Sequence, residues 1–170
     1  MAKQLIFCLE TNKRANTDYI YIKETIDFLY RENSQTKISP IYMGTKTKYR
    51  SKDILKQIDQ KTRMFIHGKT KVIYFIDTDA FEKNVEHANA FHDIQRFCEE
   101  NDYELVWFCH DVEEVFLGRK IPDDLKVREA STYREKGEVK KICLKKLSGK
   151  TVQKNTSNLL CVLDKYLERK

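Results

Sequence analysis

At 170 residues the chain has the length of one domain and little room for a second; its 41% apolar residues support a buried core and exclude a disordered chain. Its net charge of +6 is uneven: Gly118 to Lys150 carries eleven Lys or Arg against five Asp or Glu, so the remainder is close to neutral. The longest apolar runs are far too short to span a bilayer, and the apolar start has no small-residue cleavage site, so a cytoplasmic chain with no membrane partner is expected.

Leu5 to Leu9, LIFCL, is a continuous apolar run and reads as a strand buried on both faces. Asn16 or Thr17 can cap a helix whose apolar face is Ile22, Ile26, Leu29 and Tyr30. A second strand is expected over Ile38 to Met43, then a helix capped by Ser51 that carries Ile54, Leu55 and Ile58. Val72 to Ile76, VIYFI, has the strongest β-branched and aromatic content and reads as the third strand. The helix after Asp79 places Ala90, Phe91, Ile94, Phe97 and Cys98 at helical spacing, and Leu105 to Cys109 reads as a fourth strand. The order β-α-β-α-β-α-β predicts a mostly parallel four-stranded sheet with helices on both faces.

Beyond Glu114 the pattern weakens. Pro122-Asp123-Asp124 resembles a turn that starts a helix, and Thr132 to Val152 is basic with little period. Thr156 or Ser157 is expected to cap a final helix carrying Leu159, Leu160, Leu163, Tyr166 and Leu167. The expected division is an α/β unit over residues 1–117 and a basic extension over 118–170 packed on it. The odd count of five cysteines, without a C-x-x-C pair, predicts reduced thiols, with Cys8, Cys98 and Cys161 buried. No Cys or His cluster has zinc-ligand spacing, and His87 and His92 do not share a helical face.

In open α/β sheets, ligands bind beyond the carboxyl ends of the strands. Here the first strand ends in Glu10, the third in Asp77-Thr78-Asp79, and the fourth in His110-Asp111 with Glu113 and Glu114 beyond. Carboxylates gathered this way repel one another unless a cation neutralises them. Mg2+, or Mn2+ in its place, suits such hard oxygen ligands, with Asp77, Asp79, Glu10 and Asp111 as candidate metal residues. Lys46, Lys48, Arg50 and Lys52 follow the second strand on the same sheet edge and can hold substrate phosphates; the spacing of Gly44-Thr45-Lys46-Thr47-Lys48 is not that of a Walker loop.

An apolar strand ending in Glu, followed by an apolar strand ending in Asp-x-Asp, resembles the Toprim domain. The matching pieces are Leu5-Ile6-Phe7-Cys8-Leu9-Glu10 and Val72-Ile73-Tyr74-Phe75-Ile76-Asp77-Thr78-Asp79. Within that superfamily the chain is similar to the RloB-like proteins: Thr17-Asp18-Tyr19-Ile20-Tyr21 stands where they have Thr-Glu and an aromatic pair, and Glu114 falls on the Glu of their late Asn-Pro-x-Phe-Glu-x-Trp segment. Thr11 replaces the Gly that usually follows the first Glu, and the Asn-Pro is missing. The resemblance implies a Toprim-like (Rossmann-like) fold and catalytic roles for Glu10, Asp77, Asp79 and Glu114. Asp77 and Asp79 would hold one or two Mg2+ ions, and Glu10 would move a proton or complete the metal shell.

It further implies a small Mg-dependent nuclease acting on DNA or RNA, in bacterial phage defence, with a protein partner there. The alternative is a non-catalytic nucleic-acid- or partner-binding module on the same scaffold; a third reading is a small-nucleotide substrate. The basic segment, with Lys140, Lys141, Lys145 and Lys146, is the expected contact for nucleic-acid phosphates.

Overall fold

A computed structural model describes residues 1–170. Strand β1 (Ala2–Leu9) lies between β2 (Thr36–Tyr42) and β3 (Gly68–Asp77), parallel to both; β3 then pairs with β4 (Glu104–Cys109), also parallel. The full order is β2-β1-β3-β4-β5. The sheet thus has five strands where four were expected: β5 (Thr156–Ser157) pairs antiparallel with Phe108 and Cys109. Its two residues were expected to cap the final helix; they extend the sheet, and Ser157 Oγ also accepts from Leu159 N–H at 3.1 Å, where that helix begins. Asn158 holds this edge beside them, accepting from Trp107 N–H at 2.9 Å and donating to Leu105 O at 2.9 Å.

Period-two alternation divides the strands between two faces. Leu5, Phe7 and Leu9 of β1, Ile73 and Phe75 of β3, and Val106 and Phe108 of β4 enter one core. Ile6 and Cys8, with Val72, Tyr74 and Ile76, enter the other. Helix α1 (Thr17–Leu29) covers the first face through Ile20, Tyr21, Ile22 and Ile26. Helices α2 (Lys52–Met64) and α3 (Val85–Glu100) cover the second through Ile54, Ile58, Ile94 and Cys98. Caps set the starts of these two: Ser51 Oγ accepts from Ile54 N–H and Asn84 Oδ1 from Glu86 and His87 N–H. Asn16 precedes α1 in the left-handed region, at φ 53°, without a side-chain cap.

The C-terminal third belongs to the first core. After α4 (Val112–Leu117), helix α5 (Lys126–Glu135) contributes Ala130 and Tyr133, and α6 (Leu144–Leu147) contributes Leu147. The last helix, α7 (Leu159–Leu163), is shorter than the apolar spacing suggested, yet buries Leu159, Leu160, Val162 and Leu163. Tyr133 packs on Tyr21 with ring centroids 4.9 Å apart, which locks α5 against α1. The chain end returns beside α1, where Tyr30 Oη donates to Asp164 at 2.6 Å. Cys8, Cys98 and Cys109 are buried thiols; Cys161, expected in the core, is only half-buried, because α7 turns that face outward toward Gly149. No helix is long and apolar enough to cross a membrane.

The connection from β1 leads to β2 on one side, whereas β3 and β4 lie on the other. The β1–β3 boundary is therefore the point where strand order reverses, and it is beyond such a point that open parallel sheets leave a crevice for ligands.

Candidate metal centre

The register aligns Leu9 with both Tyr42 and Phe75, so Glu10 and Asp77 leave the sheet side by side at this crevice. Glu10 Oε2 accepts from Asp77 N–H at 2.9 Å. Asp77 Oδ1 in turn accepts from Val112 N–H at 3.1 Å, which ties the end of β3 to the first turn of α4. Asp18, in the first turn of α1, is 5% exposed and accepts from Thr11 N–H at 3.3 Å. Asp111 caps α4, its Oδ1 accepting from Glu114 N–H at 2.8 Å. Glu113, in the first turn of α4, is 1% exposed, and neither of its carboxylate oxygens has a hydrogen-bond partner.

Two lysines face these acids. Lys126 Nζ, from the start of α5, lies 3.3 Å from Glu113 Oε2 and 3.6 Å from Asp111 Oδ2. Lys46, from the loop after β2, donates to Asp77 O at 3.0 Å and pairs with the Asp79 carboxylate. The carboxylates of Glu10, Asp18 and Asp77 hold only backbone N–H donors. Burial pushes Glu10 up to about 7, against the pull of Lys46. Burial, then the neighbouring Glu10 and Glu113, push Asp18 up to about 8. Asp77 is raised well above the usual carboxylate range by burial and then by Glu10, Asp18, Glu113 and Asp111. Two unit charges ~4 Å apart repel by about 4 kcal/mol at an effective dielectric near 20, so these acids ionise together only if further positive charge arrives.

Of the residues singled out in the sequence, Glu10, Asp77 and Asp111 come together here. Asp79 stands at the rim, in the left-handed region at φ 51°, with its carboxylate turned to Lys46. Glu114 turns to His110, accepting from its N–H at 3.1 Å and lying 3.1 Å from its Nδ1; His110 Nε2 meets Glu82 on the other side. Lys46 is folded into the site, whereas Lys48 and Arg50 are exposed, Arg50 lying over the Tyr49 ring at 5.4 Å. Lys140, Lys141, Lys145 and Lys146 are exposed, and of these Lys141 pairs with Glu138 at 3.1 Å.

Sequence reasoning did not assign Asp18, Glu113 or Lys126 to the site. Asp18 reads as an ordinary first-turn helix acid, and Lys126 as one more charge of the basic segment. Glu113 differs from Glu114 only in helical phase, about 100° of rotation per residue, and nothing local says which of the two faces inward.

The oxygen-only donor set and the buried Glu113 carboxylate, which accepts no hydrogen bond, fit a hard divalent cation. In this conformation no three of the acids are drawn together closely enough to hold an ion, and Lys126 stands among them. A cleft of about 640 Å³ lies elsewhere, where Lys3 and Thr36 begin their strands. Its lining mixes Lys3, Lys23 and Arg31 with Asp27, Glu32 and Glu168, and it gathers no buried carboxylates, so the chemistry favours the carboxyl edge over that cleft. In comparisons with known proteins no family model, no curated protein and no solved structure matches this chain.

Proposed function

We propose that this chain is a Mg2+- or Mn2+-dependent phosphoryl-transfer enzyme of Toprim type, a small nuclease acting on DNA or RNA. The observation that carries the reading is the group of Glu10, Asp18, Asp77, Asp111 and Glu113 at the switch point of a parallel sheet, three of them without a cationic partner. Glu10, Asp77, Asp111 and Glu113 are the residues that would hold the metal, with Asp79 joining from the rim once Lys46 lets go. A divalent ion held there would neutralise phosphate charge and activate a water or hydroxyl nucleophile. Glu10 would either complete that shell or take and give a proton beside the ion; without metal, burial pushes it up to about 7. Lys46 can exchange the Asp79 carboxylate for a substrate phosphate on the same edge. The exposed lysines after α5 supply sequence-independent contacts to a nucleic-acid backbone. The likeness to RloB-like proteins adds a role in phage defence, with a protein partner.

A second reading, a non-catalytic nucleic-acid- or partner-binding module, is favoured by the same two lysines, which already neutralise part of the cluster. Calorimetric titration with Mg2+ and Mn2+, on wild type and Asp77→Asn, tests the centre. Binding by the wild type and its loss in the variant is expected, followed by metal-dependent cleavage of single- or double-stranded DNA or RNA. Metal binding without cleavage of any of them would favour the second reading, and absence of metal binding would defeat the metal centre itself.

A further inference from the structure

Lys126 has a peculiar position. It opens α5 in a strongly basic stretch, yet its side chain turns inward and is 24% exposed. From there it faces Asp111 and Glu113 of α4 at 3.6 and 3.3 Å and Asp123 of the preceding turn at 3.7 Å, with Asp77 of β3 behind them. One ammonium group shared among three carboxylates at these distances makes no short hydrogen bond to any of them, and Glu113 Oε1 is left with no partner. A lysine is a compact charge on a flexible four-carbon stem, which can swing to solvent without moving the backbone. Helix α5 itself is pinned, because Ala130 and Tyr133 are buried in the main core.

We propose that Lys126 is the resident counter-cation of this site, and that a divalent metal binds by exchange with it. The inference rests on the metal-centre reading above. The metal takes the Asp111 and Glu113 oxygens that the ammonium group now serves at long range. The released lysine then stands at the mouth of the crevice, positioned to pair with the phosphate of a bound substrate. No bond is made or broken in the exchange: a monovalent ion pair is replaced by a divalent one, and the site gains positive charge that its unpaired acids lack.

The exchange makes three measurements diverge from a structural role. Lys126→Met removes the competitor and should bind Mn2+ about tenfold more tightly than wild type, while Lys126→Arg, which keeps the charge, should bind no more tightly than wild type. Without metal the Met variant should melt at a lower temperature, and saturating Mn2+ should restore it by a larger shift than in the wild type. In the unmutated protein, reductive methylation of Lys126, followed by mass spectrometry, should proceed faster with Mn2+ present than with EDTA. The variant's folding does not enter this readout. If wild type binds Mn2+ but Lys126→Met binds it equally or less tightly, or if Mn2+ protects Lys126 from methylation, the exchange is wrong and the metal centre stands. If neither wild type nor variant binds Mn2+ at all, the metal-centre reading falls and this inference with it.

Discussion

Replacing Asp18 by Asn should stabilise the metal-free protein, and by an amount that grows with pH. Asn is nearly the same shape, and its Oδ1 can keep the hydrogen bond from Thr11 N–H. The wild-type carboxyl is buried and titrates near 8 in the folded chain against an ordinary 3.8. Below that lower value both folded and unfolded chains hold the proton and the group contributes no difference. Between the two values the unfolded chain has lost its proton while the folded chain keeps it, so stability falls as pH rises, by about 1.4 kcal/mol per unit for one retained proton. Over the whole window that approaches ~6 kcal/mol, but Glu10 and Asp77 share the same protons, which brings the part removable at Asp18 to about 2–3 kcal/mol. Urea unfolding in EDTA at pH 4.5, 6, 7.5 and 8.5 measures it. The variant should lie closest to wild type at the lowest pH and exceed it by about 2–3 kcal/mol at the highest. A difference that does not change with pH, or a variant less stable at pH 8.5, would refute the reasoning. Because a cation held by its neighbours Glu10 and Glu113 would favour the charged form of Asp18, Mg2+ should stabilise wild type more than Asp18→Asn at pH 7.5.

Three further outcomes are expected. Fluorescence anisotropy with single-stranded and duplex DNA and RNA should show binding that weakens with salt, with a log–log slope of roughly −0.7 to −0.9 per phosphate contacted. Changing Lys140, Lys141, Lys145 and Lys146 to Ala should flatten that slope for all sequences alike, and no salt-sensitive binding in wild type would reduce the segment to a solvated face. Phe75→Ala should cost about 3–5 kcal/mol in urea unfolding, since its ring is 1% exposed and packs on Phe7 with centroids 4.7 Å apart; a loss below ~1 kcal/mol would contradict that packing. Of the five thiols, Cys143 should react first with a thiol reagent, whereas Cys8, Cys98 and Cys109 should stay protected until the chain unfolds, burial raising all three of these buried thiols.

The parallel sheet was legible because its evidence is local. LIFCL and VIYFI are apolar at every position, and only a strand covered on both faces needs that. The acids that follow them were legible for the same reason: parallel strands put their carboxyl ends on one edge, so Glu10 and Asp77 meet once the strand order is known. The phase of α4 was not readable, because Glu113 and Glu114 are equal as local signals and differ only after Val112 and Val115 choose the core. Asp18 is an acid in a helix's first turn until the packing of Tyr21 and Ile22 rotates it under the loop at Thr11. Lys126 reaches the crevice because Tyr133, two turns along α5, packs at a steep angle against the rings of Tyr21 and Phe116, residues distant in sequence. Likewise β5 forms only where α7 docks against β4, since two residues carry no strand signal of their own. Composition and period settle which segments are buried and on how many faces. Which side chains then share a crevice depends on the docking of helices whose rotation is set by contacts across the whole chain, and those contacts decided that an outlying lysine and two unremarkable acids stand with Glu10 and Asp77.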